Sequence, residues 1–408
     1  MNNQFQQQAI PTSPEVVVLG GGLAGLTAAA LVAKAGRSVV VREKRGILGG
    51  DARSVRREGF TFNQGPHALY RGGSTERVLS GLGLNLRGGR PSQSACLVFD
   101  GRAEVAPSGP LTLLSTKALG FGDKLEVGKL FARLPKLDAS ALAEISVEDW
   151  ISTCCERERA AEVMRAIVRL ATYSNQPELL SAEVAILQLQ MALGAGVQYL
   201  HGGWQSIVDQ LSAFPGVHTV TNDESNEIPD APVVIVAVGG AEIAEKLTGA
   251  SFDVGPPAQA ACLDLGLSRR PAKSLVIGGD VPFYFSNHSA AAELAPMGQF
   301  HATAIQYLVN GGEPDFESIE AFAKHAGVTG DDIVVSRRLH RMTPTTSIPT
   351  ASRGGLAGRP RTTDSGHRNV LLAGDWVGSH GHLADASIAS AEAAAHMALG
   401  LLGDRMSS

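Results

Sequence analysis

The sequence predicts an α/β protein built as two interleaved domains, and three observations point there. The chain has 408 residues, 44% of them hydrophobic, which exceeds the roughly 250 residues at which a single core usually divides. Val16 to Leu19 is an unbroken aliphatic run ending in glycines, the form of a parallel strand buried on both faces. Between roughly Ala258 and His340 the pattern turns to alternating, strand-like runs, which predict an antiparallel sheet.

After the first strand, apolar and small residues from Leu23 through Ala35 predict a helix, with Gly36 placed to end it in a left-handed cap. Ser38 to Val41 predicts a second buried strand, with Glu43 just past its tip, so residues 16 to 43 form one βαβ unit. Between about Pro91 and Tyr199 the spacing is helical, as in Leu111, Leu114, Leu125, Leu130 and Leu134, and again in Val163, Ile167 and Leu170. Val233 to Val238 returns to the buried parallel form. The antiparallel runs follow at Ala260 to Leu267, Ser274 to Ile277, Phe283 to Ser286, Phe300 to Leu308 and Ile333 to Leu339. Asn369 to Leu402 closes with a strand, a polar turn and an alanine-rich helix. The simplest assembly is a flexible lead-in over 1–14, one discontinuous nucleotide domain over 15–90, 200–257 and 341–408, and a second domain over 91–199 and 258–340. No internal repeat is present.

Charge and cysteine content exclude several function classes. The balance of 35 basic and 40 acidic residues gives a formal charge of -5, with no like-charge block of the kind that binds nucleic acid. Cys96, Cys154, Cys155 and Cys262 form no C-x-x-C pair, so no metal site and no disulfide framework is expected. Cys154 and Cys155 are adjacent in a helical stretch, where a bridge would close a strained ring. The cysteine pattern fits a reducing, cytoplasmic setting; the first fifteen residues lack a signal peptide's basic start and apolar core, and no segment reads as membrane-spanning.

Gly20, Gly22 and Gly25 form G-x-G-x-x-G between the first strand and the helix that starts at Leu23 and Ala24. Glycine there permits a tight turn, close backbone approach to a pyrophosphate, and close helix packing, while the helix N-terminus suits an anion. Glu43, 18 positions beyond Gly25, is placed to accept hydrogen bonds from ribose hydroxyls. These features predict a Rossmann-like dinucleotide site without separating NAD from FAD.

The continuation makes that separation. Glu43 and Lys44 are followed by Gly49-Gly50, Arg53, Gly59-Phe60 and then Gly65-Pro66-His67. Here the chain resembles the family of phytoene and carotenoid desaturases, protoporphyrinogen oxidases and flavin amine oxidases. The resemblance returns at Tyr199-Leu200-His201-Gly202-Gly203 and at Asn369 to Asp375, which ends in Ala373-Gly374-Asp375. It implies FAD, with Asp375 on the ribityl chain and a turn of Gly381, His382, Leu383, Ala384 and Ser387 bringing a helix start under the flavin. The implied fold is a Rossmann-like FAD-binding domain with an interleaved α+β substrate domain of antiparallel sheet and helices. The family's Arg after the glycine pair is Asp51 here, with Arg53 two residues later; either Arg53 replaces it or cofactor binding is altered. Ala386-Ser387 and Ser390-Ala391 stand where the family has glycine-containing pairs, and 214–232 is shorter than the family's meander.

No side chain declares itself as a catalytic base. His67 has two readings, a direct role at the flavin and a structural hydrogen bond. His380 and His382 have H-x-H spacing, but without neighbouring ligands they read as turn residues. Asp385 reads as a helix cap. Phe283, Tyr284, Phe285 and Tyr307 are equally readable as pocket lining and as core. Residues 111–137 mix leucines with Lys117, Lys124, Lys129, Arg133 and Lys136, so peripheral membrane contact stands beside ordinary amphipathic packing.

The resemblance implies FAD-dependent dehydrogenation, by desaturation or oxidation, of a lipophilic small molecule. With one complete G-x-G-x-x-G in the chain, reoxidation by oxygen or a quinone-like acceptor is expected. The alternatives are a flavin amine oxidase and a non-catalytic, prenyl-binding protein of the GDP-dissociation-inhibitor type.

Overall fold

The computed structural model describes residues 11–65, 67–92, 94–224, 226–309 and 311–406. Most of the expected lead-in, and Pro66 of the Gly-Pro-His turn, lie outside the described residues.

Strand β1 (Val16–Leu19) leads through helix α1 (Leu23–Lys34) into β2 (Val39–Glu43). Glu43 is thus the last residue of its strand rather than one past the tip. Five parallel strands form the nucleotide sheet, in the order Val217–Thr221, β2, β1, Val233–Val236, Val370–Leu372. The chain leaves β1 toward β2 on one side and later returns on the other. The carboxyl end of β1 is therefore the point where strand order reverses, the place at which open α/β sheets bind ligands. One face is covered by α1 and the C-terminal helix Ala384–Met406, which meet through small residues such as Ala28, Ala29, Ala391, Ala394 and Ala395. The other face buries Phe252 and Trp376.

The second sheet has seven strands, in the order Ile333–Thr345, Ala258–Leu267, Phe300–Leu308, Phe283–Asn287, Leu275–Gly278, Cys96–Phe99, Arg102–Val105. The hairpin Cys96–Val105 opens the region read as mainly helical and joins this sheet through a parallel pairing with Leu275–Gly278. Its four-residue strands are too short to show a period.

Strand alternation divides the sheet's two faces. Opposed residues Cys262 and Ile305, Ala260 and Tyr307, and Tyr284 and Ile305 share one face. Phe283, Phe285, Leu263 and Leu308 share the other, packed against the helix Phe316–Ala323. The helical part lies beside this sheet. After α2 (Ser74–Gly81) come α3 (Pro110–Ser115), α4 (Phe121–Arg133), α5 (Val147–Cys154), α6 (Glu158–Thr172) and α7 (Ala182–Gly194). They share a core that includes Trp150, Ile151, Met164 and Leu189. Among the described residues no helix is long and apolar enough to cross a membrane.

Candidate functional site

The glycine turn after β1 is clamped on one side and open on the other. Gly20 has φ +105°, and a Cβ there would lie 2.3 Å from the Ala237 carbonyl oxygen; a side chain at Gly25 would meet the Gly20 carbonyl oxygen at 2.0 Å. At Gly22, the N-cap of α1, a Cβ would meet nothing within 4 Å. The second glycine pair is fastened to this turn, since Gly49 N–H donates to the Gly21 carbonyl at 2.7 Å. Glu43 reaches back to the same place. Its carboxylate accepts from Gly21 N at 2.7 Å and from Arg45 N at 2.8 Å, and each oxygen retains a lone pair for a further donor. Lys44, by contrast, is exposed and ion-paired with Glu224.

Asp51 is exposed, while the Nε of Arg53 is buried without a protein partner. The acid thus faces water, while the Arg53 Nε is turned inward. A second cation shares this property. Arg359 is 7% exposed and donates from Nη1 to the Gly381 carbonyl at 2.9 Å, but its Nε and Nη2 have no protein acceptor. Burial lowers its pKa to about 10, against the opposing pull of Asp375 and Glu183.

Asp375, just beyond Val370–Leu372, is held by residues the sequence did not flag. Its carboxylate accepts from the Thr345 hydroxyl at 2.8 Å, from Thr346 N at 2.5 Å and from the Thr346 hydroxyl at 2.6 Å. Ser390 bonds both the N–H and the carbonyl of Gly374, at 2.9 and 2.8 Å. The following turn is pinned to the helical part, because His382 Nε2 donates to the Thr172 carbonyl at 2.9 Å. Leu383 there adopts φ +54°, a conformation that costs a non-glycine residue of order 1 kcal/mol. Ala384 opens the C-terminal helix, and Ser387 N bonds back to the Leu383 carbonyl at 3.4 Å. Asp385 caps a helix, though not its own: it accepts from Thr75 N at 2.7 Å, at the first turn of α2.

The face of the second sheet that carries Tyr284 and Tyr307 looks onto the nucleotide domain. Arg337 donates from Nε and Nη2 to the same Asp264 oxygen, Oδ2, at 2.9 and 2.6 Å and also bonds the Asn63 carbonyl. Met342 fills the space a side chain at Gly65 would need. His67 Nδ1 donates to the Gly65 carbonyl at 2.9 Å, its ring lies 5.2 Å from Trp204, and burial holds its pKa below the ordinary value. This arrangement favours the structural reading of His67. Strand alternation also sorts the four aromatics: Tyr284 and Tyr307 pack with Leu170 and Tyr173 of the helical part and with Met342, while Phe283 and Phe285 belong to the core beneath Phe316–Ala323.

All five tyrosines of the chain converge here. Tyr173 bonds Tyr284 through their hydroxyls at 2.9 Å; the rings of 173, 284 and 307 lie 5.9 to 6.3 Å apart. Tyr70 donates to the Ala171 carbonyl, and Tyr199 pairs with Ser286, its ring tilted over His288 at 4.5 Å. Burial raises every one of the five phenols. His288 has no partner on either ring nitrogen and is pushed down to about 3 by burial first and by His301 second. The cluster is therefore uncharged at neutral pH and largely shielded from water. No residue spacing signals it, since Tyr70, Tyr173, Tyr199, Tyr284 and Tyr307 come from five separate segments.

The H-x-H histidines do not act together: His382 is committed to Thr172, and His380 is exposed beside Ser379. Among the described residues no group of three potential ligands is placed for a metal. The four cysteines are free, with Cys155 pushed up to about 11, chiefly by burial.

These residues fit a dinucleotide with two phosphates. The open side of Gly22 admits close approach, and the unpartnered donors of Arg53 and Arg359 are cations lacking acceptors, a costly condition that an anion relieves. Comparison with known proteins agrees. Residues 23–243, more than half of the chain, match the family described as flavin containing amine oxidoreductase. The phytoene desaturase of Cercospora nicotianae is 38% identical over 73 residues, 18% of this chain and 12% of that protein. Protoporphyrinogen oxidase 2 of Arabidopsis thaliana is 27% identical over 156 residues, 38% of this chain and 30% of that protein. The matched stretches thus span less than a third of these relatives. Among solved structures, an oxidoreductase from Methanosarcina mazei superposes with a TM-score of 0.71 at 18% identity, covering 93% of this chain and 99% of that one. Putrescine oxidase bound to putrescine gives 0.71 at 15% identity, covering 95% and 99%. At such identities the likeness is one of fold. With more than half its length matched by one family, the chain belongs to the flavin-containing amine oxidoreductases, with FAD as its cofactor.

Proposed function

We propose that this protein is an FAD-dependent oxidoreductase that dehydrogenates a lipophilic small molecule, by desaturation or oxidation, and passes the electrons to oxygen or a quinone-like acceptor. In this reading 15–90, 200–257 and 341–408 hold the cofactor, and 91–199 with 258–340 receive the substrate. Gly20, Gly22, Leu23, Ala24 and Gly25 receive the pyrophosphate, Glu43 the adenosine ribose, and Gly49, Gly50 and Arg53 the second phosphate turn. Gly65 and His67 face the flavin from one side. Gly374, Asp375, Gly381, His382, Leu383, Ala384 and Ser387 hold it from the other. When bound, FAD supplies the two-electron acceptor; the chain's own residues position the substrate and exclude water.

The observation that carries the lipophilic reading is the character of the sheet face opposite the Gly65 turn. It is aromatic and buried, and its carboxylate Asp264 is already engaged by Arg337, while in the nucleotide domain Asp385 is engaged by Thr75 and Asp375 by Thr345 and Thr346. A second reading, oxidation of an amine, is favoured by the tyrosine rings, whose faces attract ammonium groups. Anaerobic mixing of the yellow holoenzyme with phytoene in detergent micelles, and separately with putrescine, divides the two. We expect loss of the flavin's visible absorbance with the polyene and none with the diamine. Bleaching by the amine, with hydrogen peroxide on admission of air, overturns the lipophilic reading.

A further inference from the structure

The helices α3 and α4 carry an outward face that the cofactor site does not use. Three of the four most exposed large hydrophobic side chains among the described residues stand here, with Leu111 at 83%, Leu114 at 72% and Phe121 at 86% exposure. Leu125, one turn after Phe121, is 52% exposed. Scattered single leucines on a surface need no explanation, but a cluster of this kind does. These side chains are not surplus core, because α4 has a proper inner face: Val127 and Leu130 are buried with the helices around α6.

The cluster is held together and flanked by one sign of charge. Lys124 Nζ donates to the Leu114 carbonyl at 2.8 Å, tying the end of α3 to α4. Residues 110–137 contain five basic and two acidic side chains in a chain of net charge -5. Both acids are engaged locally, Asp123 as the cap that accepts from Gly120 N and Glu126 with Arg157. Lys117, Lys129, Arg133 and Lys136 are exposed and form no ion pair among the described residues. Along α4 the outer face runs from Phe121 and Leu125 to Lys129 and Arg133 at four-residue steps, so one helical stripe is apolar at its start and basic at its end.

We infer that α3 and α4 form a docking surface for an anionic lipid bilayer, with Leu111, Leu114, Phe121 and Leu125 entering the headgroup boundary and Lys129 and Arg133 meeting the lipid phosphates. Charge complementarity selects this occupant. A second copy of this net-acidic chain would have to cover the apolar cluster and neutralise the basic stripe with one self-complementary patch, whereas an anionic bilayer supplies both an apolar interior and a negative surface. The contact is interfacial.

The test uses the flavin-loaded full chain and flotation with vesicles of phosphatidylglycerol and phosphatidylcholine in equal parts, against vesicles of phosphatidylcholine alone. The wild type should bind the anionic vesicles about thirtyfold more strongly, as two cations near an anionic surface imply. Lys129→Glu/Arg133→Glu should abolish that preference, and Leu111→Ser/Phe121→Ser should lower binding to anionic vesicles by about tenfold. Equal binding to both vesicle types, no binding, or unchanged binding in both variants overturns the inference. So does a dimer in size-exclusion chromatography that Leu111→Ser/Phe121→Ser dissociates, which would identify a second copy as the occupant. The flavin absorbance of each sample reports separately on the oxidoreductase reading.

Discussion

Gly22 and Gly25 stand three residues apart and meet different constraints. A side chain at Gly25 collides with the Gly20 carbonyl, so that glycine is required by the protein itself. A side chain at Gly22 meets open space and its φ of -79° suits any residue. Gly22→Val should therefore fold with a thermal midpoint close to that of the wild type yet purify without flavin, because the added methyl groups occupy the approach to the pyrophosphate. Gly25→Val should fail to give soluble folded protein. Flavin absorbance per mole of protein, set beside a thermal melt, checks both; a Gly22→Val protein with full flavin content contradicts the assignment of this turn to the phosphates.

Among the elements, α2 and the C-terminal helix are coupled through one carboxylate. The N-cap of α2 is Gly73, which has no side chain to offer, and Asp385 crosses from the other helix to accept from Thr75 N. Gly73 must be small for this to happen, since a Cβ there would lie 2.3 Å from an Asp385 oxygen. Asp385→Ala leaves a buried N–H without an acceptor and should cost about 1 to 2 kcal/mol, the sum expected of a lost cap in a dry setting. Urea denaturation measures the loss, and hydrogen exchange should locate it in the first turn of α2. The second sheet is fastened to the nucleotide domain in an analogous way by Arg337, which serves Asp264 and the Asn63 carbonyl together.

At the scale of the whole molecule, the buried Arg337–Asp264 ion pair is accompanied by buried histidines that resist protonation. Burial pushes His288 and His382 down to about 3 from an ordinary 6.5. Above that ordinary value both folded and unfolded chains hold these rings neutral. As pH falls below about 6.5 the unfolded chain takes up protons that the folded chain refuses, and stability declines toward about pH 3. Urea midpoints at mildly acidic pH should therefore fall well before the carboxylates titrate. His288→Gln should flatten that decline, while an identical pH slope in wild type and variant would show that His288 is not shielded as the fold implies.

The nucleotide half was legible in the chain because its signals are local. An aliphatic run, three glycines and an acid 18 positions on are read within one βαβ unit, where backbone sterics and strand burial act over a few residues. The carboxyl-terminal Gly374-Asp375 could be joined to them only by resemblance, and the hairpin Cys96–Val105 was too short to announce itself. What the tertiary structure alone decided are contacts between residues far apart in the chain: Thr345 and Thr346 on Asp375, Asp385 on α2, the buried Arg359, and the meeting of five tyrosines from five segments. The sequence by itself determined where the tight glycine turn between the first strand and its helix lies, because that depends on backbone freedom at named positions. Only the fold decided what faces that turn, because burial and hydrogen-bond partnership are properties of neighbours in space, and periodicity carries no record of them.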